Sequence, residues 1–167
     1  YKLYDLYNEA QTPFEWHEEL FSHARSLGVE IFSTPFDESA ADLLDALDVP
    51  AFKIASFELT DLPLIRYVAR KRKPMILSTG LACLKEIRAA VDAVLSEGNT
   101  QIILLHCVSS YPAPVSQSNV KTIQHLADTF GVVAGLSDHT LSNAASIASI
   151  AIGGSVIEKH FTLRRAD

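Results

Sequence analysis

Only two cysteines occur in the 167 residues, and Cys83 and Cys107 stand too far apart to form a metal-binding pair. They fall in separate structural units, so reduced, buried or half-buried thiols are expected rather than a disulfide. No run of 18 or more apolar residues is present, which leaves no candidate transmembrane helix, and no signal-peptide pattern precedes the first unit. Fourteen Lys and Arg against 20 Asp and Glu give a formal net charge of −6, which argues against nucleic acid or an anionic membrane as the main partner. No linker, repeat or low-complexity segment interrupts the chain, so residues 1–167 read as one domain, expected to be cytoplasmic.

Hairpin turns are absent as well, and that narrows the fold. Six strand-plus-turn signals follow one another: EIFSTPFD, AFKIASFE, MILSTG, ILLHCVSSYP, VVAGLSDHT and SVIEKHFT. They start near residues 30, 51, 74, 102, 132 and 155, about 21 to 30 residues apart, which is the span of one βα unit. The spacing predicts strands at Val29 to Phe36, Ala51 to Ser56, Met75 to Thr79, Ile102 to Cys107, Val132 to Ser137 and Ser155 to Phe161. Helices are expected between them, and ahead of them from about Pro13 to Leu27, where Thr12 and Glu15 form a capping-box pattern. Six parallel units point to most of a (β/α)₈ TIM barrel, an α/β fold that carries its chemistry at the carboxyl ends of the strands. A complete barrel takes about 250 residues. The chain is therefore expected to be an incomplete barrel lacking its first two units, open at Val29 to Phe36 and at Ser155 to Phe161, and inactive on its own.

Strand parity sorts the polar residues. Side chains two apart share a face, so Ser137 goes with His139, Glu158 with His160, and Thr34 with Phe36. If those faces line the barrel, two imidazoles from adjacent strand ends meet near its mouth. Such a pair suits Mn²⁺, Zn²⁺, Co²⁺ or Fe²⁺ and leaves positions open for water or substrate; the alternative is two hydrogen-bonded core histidines. Thr34, Ser56, Ser78, Ser109 and Ser137 fall at or just past strand ends, where hydroxyls and loop N–H groups hold phosphate or carboxylate, or simply cap the next helix. Lys53 sits in an apolar strand and needs an anion, either a ligand or an ion pair with Glu58 or Glu158.

In this order and spacing, FSTPFD, FKIASFEL, KPMILSTG, LLHCVSSYPAP, GLSDHT and IEKHFTL resemble the sialic acid synthase family over essentially the whole chain. The opening YDLYNEAQTPFEW further resembles that family's pseudaminic acid synthase branch. The resemblance implies condensation of phosphoenolpyruvate with an open-chain N-acetylated sugar aldehyde, giving a nonulosonic acid and phosphate. It implies a divalent metal, Mn²⁺, Mg²⁺ or Co²⁺, on His139 and His160. Thr34, Lys53, Ser56, Ser78, Ser109 and Ser137 would hold phosphoenolpyruvate, while Phe36, Glu58 and Tyr111 would face the sugar. Lys53 and Glu58 are the implied catalytic residues, and Glu158 would orient His160 or bind the metal directly. Ser109 departs from the pattern, since sialic acid synthases proper carry Asn there and a hydroxyl replaces only one end of an amide. The family further implies a carboxyl-terminal antifreeze-like domain, not in this sequence, and a homodimer of the full-length protein.

Within that resemblance, N-acetylneuraminate and legionaminate precursors are alternative substrates. A barrel aldolase using Lys53 as a Schiff-base nucleophile, and a non-catalytic barrel fragment, are the readings from other classes.

Overall fold

The computed structural model describes residues 2–164. Two helices, α1 (Leu3–Ala10) and α2 (Phe14–Ser26), precede α3 (Glu38–Ala46). Then strand and helix alternate: β1 (Phe52–Ile54), α4 (Leu62–Ala69), β2 (Met75–Ser78), α5 (Leu84–Ser96), β3 (Ile102–Cys107), α6 (Lys121–Phe130), β4 (Val133–Asp138), α7 (Ala144–Ala151) and β5 (Val156–Lys159).

Local chemistry sets several of these boundaries. Asp37 accepts a hydrogen bond from Ala40 N at 2.7 Å and caps α3, and Asp61 does the same for α4 through Leu64 N at 3.1 Å. Helix α5 turns Ile87, Ala90, Val91 and Val94 inward at helical spacing. At α2 the expectation fails: Pro13 is the N-cap and no side chain caps the helix, so the Thr12 capping box does not form.

All five strands are parallel, in the order β1-β2-β3-β4-β5. Their register places Lys53 beside Ile76, Ser78 beside Leu105, Cys107 beside Ser137, and Ser137 beside Glu158. The alternate residues Phe52, Ile54, Met75, Leu77, Leu104 and Leu136 face the helices and form the main core with Ile65, Val91, Ile123 and Leu126. Ala51, Ile76 and Leu105, with Ile103 and Val156 against them, make a smaller cluster on the other face. Two apolar faces are what a sheet between a helix layer and a barrel interior requires.

A flat five-stranded sheet would hold its edges about 19 Å apart, given about 4.8 Å between neighbours. Yet Lys53 on β1 and Glu158 on β5 meet at 3.5 Å. The sheet is therefore curled into a half-barrel with Lys53 and Glu158 on its concave side. Gly135 permits part of that approach, because a Cβ there would collide with the Val156 carbonyl oxygen of the next strand.

The sixth expected strand is the main difference. Residues 29–36 form no ladder, so β1 takes the edge position assigned to them. Val29, Phe32 and Phe36 are exposed, so burial does nothing to favour a ladder, and Pro35 has no N–H to donate. Strand-like composition is only a potential; a neighbouring backbone has to realise it.

Candidate active site

The curl gathers side chains from four strands into one network. Lys53, 7% exposed, donates from Nζ to Ser78 Oγ at 2.8 Å and to the Ile54 carbonyl at 3.3 Å, with Glu158 Oε2 at 3.5 Å. Two hydrogen bonds and one ion pair thus offset the burial of this amine. Ser137 Oγ donates to the other carboxylate oxygen of Glu158 at 2.6 Å. Of the two acids adjacent in expectation, Glu158 is the ion-pair partner. Glu58 is not paired: its Oε2 is buried without a hydrogen-bond partner. Burial pushes the Glu58 carboxyl above the usual range, against the opposing pull of its own backbone N–H and of Lys53.

One residue past the last backbone rung stand the two histidines. Their ring centroids are 5.3 Å apart, and the Tyr111 ring lies 4.1 Å from that of His139 and 5.7 Å from that of His160. The two rings expected to share a face by strand parity do lie together. His139 Nδ1 lies 2.9 Å from the Val108 carbonyl, which can only accept, so Nδ1 carries the proton and Nε2 keeps its lone pair. Ala113 N donates to the His139 carbonyl at 2.9 Å, so the loop after β3 holds this residue at side chain and backbone. With metal–nitrogen distances of about 2.1 Å, two rings at this separation fit one shared ion. Among the described residues no group of three or more His, Cys, Asp or Glu converges, so the histidines would be the chief protein ligands. Such a set resembles an open, substrate-accessible centre rather than a closed structural one.

Ser137, His139, Glu158, Lys159 and His160 line a cavity of about 190 Å³. At the ends of β1 and β2, Gly80 N donates to Ser56 Oγ at 3.1 Å. A Cβ on Gly80 would come within 2.5 Å of Ser109 Oγ and 2.9 Å of Cys107 Sγ, so only glycine leaves that hydroxyl where it is. Gly80→Ala is expected to cost about 1–3 kcal/mol of stability by overpacking and to displace Ser109; denaturant unfolding and a crystal structure of the variant check both.

Ser56, Ser78, Ser109, Ser137, Lys53, Tyr111, Glu158, His139 and His160 thus belong to one concave region. Thr34 and Phe36 do not join them by any hydrogen bond or ring contact among the described residues, because their segment is not part of the sheet, and Phe36 is 65% exposed.

Asp138 and Lys159 were not singled out from the sequence. They lie between the inward pairs, on the opposite face, at facing positions of β4 and β5. Lys159 Nζ donates to Asp138 Oδ2 at 2.9 Å, Ser146 Oγ to the same oxygen at 2.6 Å, and Thr140 N to Oδ1 at 2.8 Å. The signal was available in SDH and EKH, where the same alternation aligns an acid with a base. Burial acts to raise the Asp138 pKa, but the bonds from Ser146, Lys159 and Thr140 outweigh it and hold the carboxyl at about 2. Since the folded value lies below the ordinary 3.8, the ionised carboxylate with all its donors, Ser146 first and then Lys159 and Thr140, contributes about 2 kcal/mol. That stabilisation is complete above about pH 4 and is lost as the pH falls through about 2. Asp138→Asn should flatten the acid limb of stability; urea unfolding of the full-length protein between pH 7 and about pH 2 measures it.

The model of the NeuB family matches residues 1–167. The chain belongs to the NeuB family. It is 46% identical over 164 residues to the pseudaminic acid synthase of Helicobacter pylori, covering 98% of this chain and 48% of that protein. It is 45% identical over 149 residues to the N,N'-diacetyllegionaminic acid synthase of Campylobacter jejuni, covering 88% and 45%. The crystal structure of N-acetylneuraminic acid synthetase from Leptospira borgpetersenii superposes with a TM-score of 0.92 at 31% identity, covering 97% of this NeuB-family chain and 56% of that one. The chain spans about half the length of the curated relatives it matches. No helix among the described residues is long and apolar enough to cross a membrane.

Proposed function

We propose that the full-length protein condenses phosphoenolpyruvate with an N-acetylated sugar aldehyde, releasing phosphate and forming a nonulosonic acid, with the pseudaminate precursor as its sugar. The observation that carries this reading is one buried cation, Lys53, and one pair of free-facing imidazoles, His139 and His160, on the same concave face. A doubly charged anion and an aldehyde oxygen need just these two kinds of partner. The relatives named as synthases support the reaction class, and the 46% identity to a pseudaminic acid synthase supports the choice of sugar.

In the reaction, C3 of phosphoenolpyruvate attacks the aldehyde carbon, and the aldehyde oxygen takes up a proton. Water then adds to the cationic C2, and phosphate leaves as the C2–O bond to it breaks. His139 and His160 would hold a divalent metal, Mn²⁺, Mg²⁺ or Co²⁺, which would supply Lewis-acid polarisation of the aldehyde oxygen. Lys53 and Ser78 bind the anionic end of phosphoenolpyruvate, assisted by Ser56, Ser109 and Ser137, and fix C3 before bond formation. Glu158 occupies Lys53 in the free protein and yields that place in part to the ligand. Glu58, with an elevated pKa and an unpartnered oxygen, is placed to hold or move a proton at the sugar, and Tyr111 shapes the sugar's approach above the histidines.

The Schiff-base reading fits the geometry less well, because Lys53 Nζ is already engaged by Ser78, the Ile54 carbonyl and Glu158 rather than left free to attack a carbonyl. Mass spectrometry decides. Full-length enzyme given phosphoenolpyruvate and each of the pseudaminate, legionaminate and neuraminate precursors should yield the pseudaminate mass fastest. Faster turnover of either other precursor would reassign the sugar, and an adduct trapped on Lys53 by borohydride would replace the mechanism.

A further inference from the structure

We infer that the Asp138–Lys159 ion pair on the outer face is a positioning device that sets the spacing and orientation of His139 and His160. The inference rests on the metal-binding reading above and adds residues to it. The backbone ladder between β4 and β5 ends at Asp138 and Lys159, so both histidines stand beyond the last hydrogen-bonded rung. Nothing in the sheet itself fixes their separation. Over the last two rungs the cross-strand side-chain ties alternate in direction. Ser137 and Glu158 join at 2.6 Å on the concave face, and Asp138 and Lys159 join at 2.9 Å on the convex face.

The convex pair reaches further than a single bond. Lys159 Nζ also donates to the carbonyls of Thr140 at 2.8 Å and Ser142 at 3.1 Å. Asp138 Oδ1 accepts from Thr140 N at 2.8 Å, turning the chain immediately after His139, while Oδ2 ties β4 to α7 through Ser146. His139 is thus bracketed: the residue before it and the residues after it are both held by groups of this network. The residue before His160 is Lys159 itself. One ion pair thus ties together the backbone on which both imidazoles are mounted, in addition to the Val108 and Ala113 contacts that hold His139 from the loop after β3. The Asp138 side chain is 1% exposed and that of Lys159 28%, so water competes weakly for the contact. Neither side chain touches the ion; each acts through a histidine.

The test uses full-length enzyme carrying Lys159→Met, Lys159→Arg or Asp138→Asn, with Mn²⁺ binding followed by electron paramagnetic resonance. Phosphoenolpyruvate binding without metal is measured by calorimetry, and thermal unfolding is recorded for each variant. Lys159→Met is expected to weaken Mn²⁺ binding by about 10- to 100-fold, the usual consequence of losing a group that orients a metal ligand. Phosphoenolpyruvate affinity should stay within about twofold, and Lys159→Arg should restore most of the Mn²⁺ affinity. A general loss of structure would instead lower both affinities together. If Lys159→Met does not fold, the nearly isosteric Asp138→Asn decides by the same measurements. Mn²⁺ affinity within about twofold of wild type in a folded variant, with His160→Ala abolishing binding, overturns this inference and leaves the metal reading intact. Failure of the wild-type protein to bind Mn²⁺, Mg²⁺ or Co²⁺ overturns both.

Discussion

Full-length protein carrying His139→Ala or His160→Ala is expected to lose synthase turnover by about 10³-fold or more, with phosphoenolpyruvate still bound. The two imidazole rings stand 5.3 Å apart between centroids, and among the described residues no group of three or more His, Cys, Asp or Glu forms a cluster. Two ligands offer no redundancy. Removing either leaves a single protein nitrogen, and the loss of several kcal/mol of charge stabilisation on the developing alkoxide translates into that rate. The anion site built on Lys53 and Ser78 is separate chemistry, so the effect should fall on kcat and on metal affinity rather than on KM for phosphoenolpyruvate. Steady-state kinetics over a Mn²⁺ titration, with chelator-treated wild type as reference, provide the check. Full activity in either alanine variant would remove the histidines from the mechanism.

Lys53→Met in the full-length protein should weaken phosphoenolpyruvate binding by about 2–5 kcal/mol, the range for truncating one partner of a buried charged contact. The structure adds a second consequence. Lys53 is the cation facing Glu158 and the donor to Ser78, so its loss leaves a half-buried carboxylate beside Ser137 without its counter-charge. Stability should fall too, by less than the about 3–5 kcal/mol of a fully buried pair, because Glu158 is 42% exposed at its side chain and solvent screens its charge. The two effects separate in the double variant Lys53→Met/Glu158→Gln, which removes the orphaned charge and should recover stability but not ligand affinity. Calorimetry with phosphoenolpyruvate and denaturant unfolding read the two quantities independently. Unchanged KM and turnover alongside a lower midpoint would make Lys53 a structural ion-pair residue only.

Much of the site was legible because two regularities are local. Alternation along a strand places Ser137 with His139 and Glu158 with His160 whatever the rest of the chain does. A parallel βα repeat sends every strand's carboxyl end to the same edge of the sheet, so hydroxyls at Ser56, Ser78 and Ser109 had to come near one another. Asp138 and Lys159 were equally legible in principle. They were passed over because attention to the inward residues of SDH and EKH treats the outward ones as packing, although an acid and a base at one rung are bound to meet.

Other features were not local. Residues 29–36 have strand-like composition, yet a strand exists only with a ladder partner, and no neighbouring backbone pairs with them among the described residues. Thr34 and Phe36 went with that segment, away from the cluster.

The sequence by itself determined the order of the βα units, the inward face of each paired strand and, through the family resemblance, the class of chemistry to look for. Tertiary structure alone decided which anion Lys53 takes. Glu58 lies five positions away in the chain and Glu158 more than a hundred, yet the distant one forms the ion pair. The choice depends on the curvature of the sheet, which sums small twists between successive strands. No window of sequence contains that sum, whereas strand parity is complete within three residues.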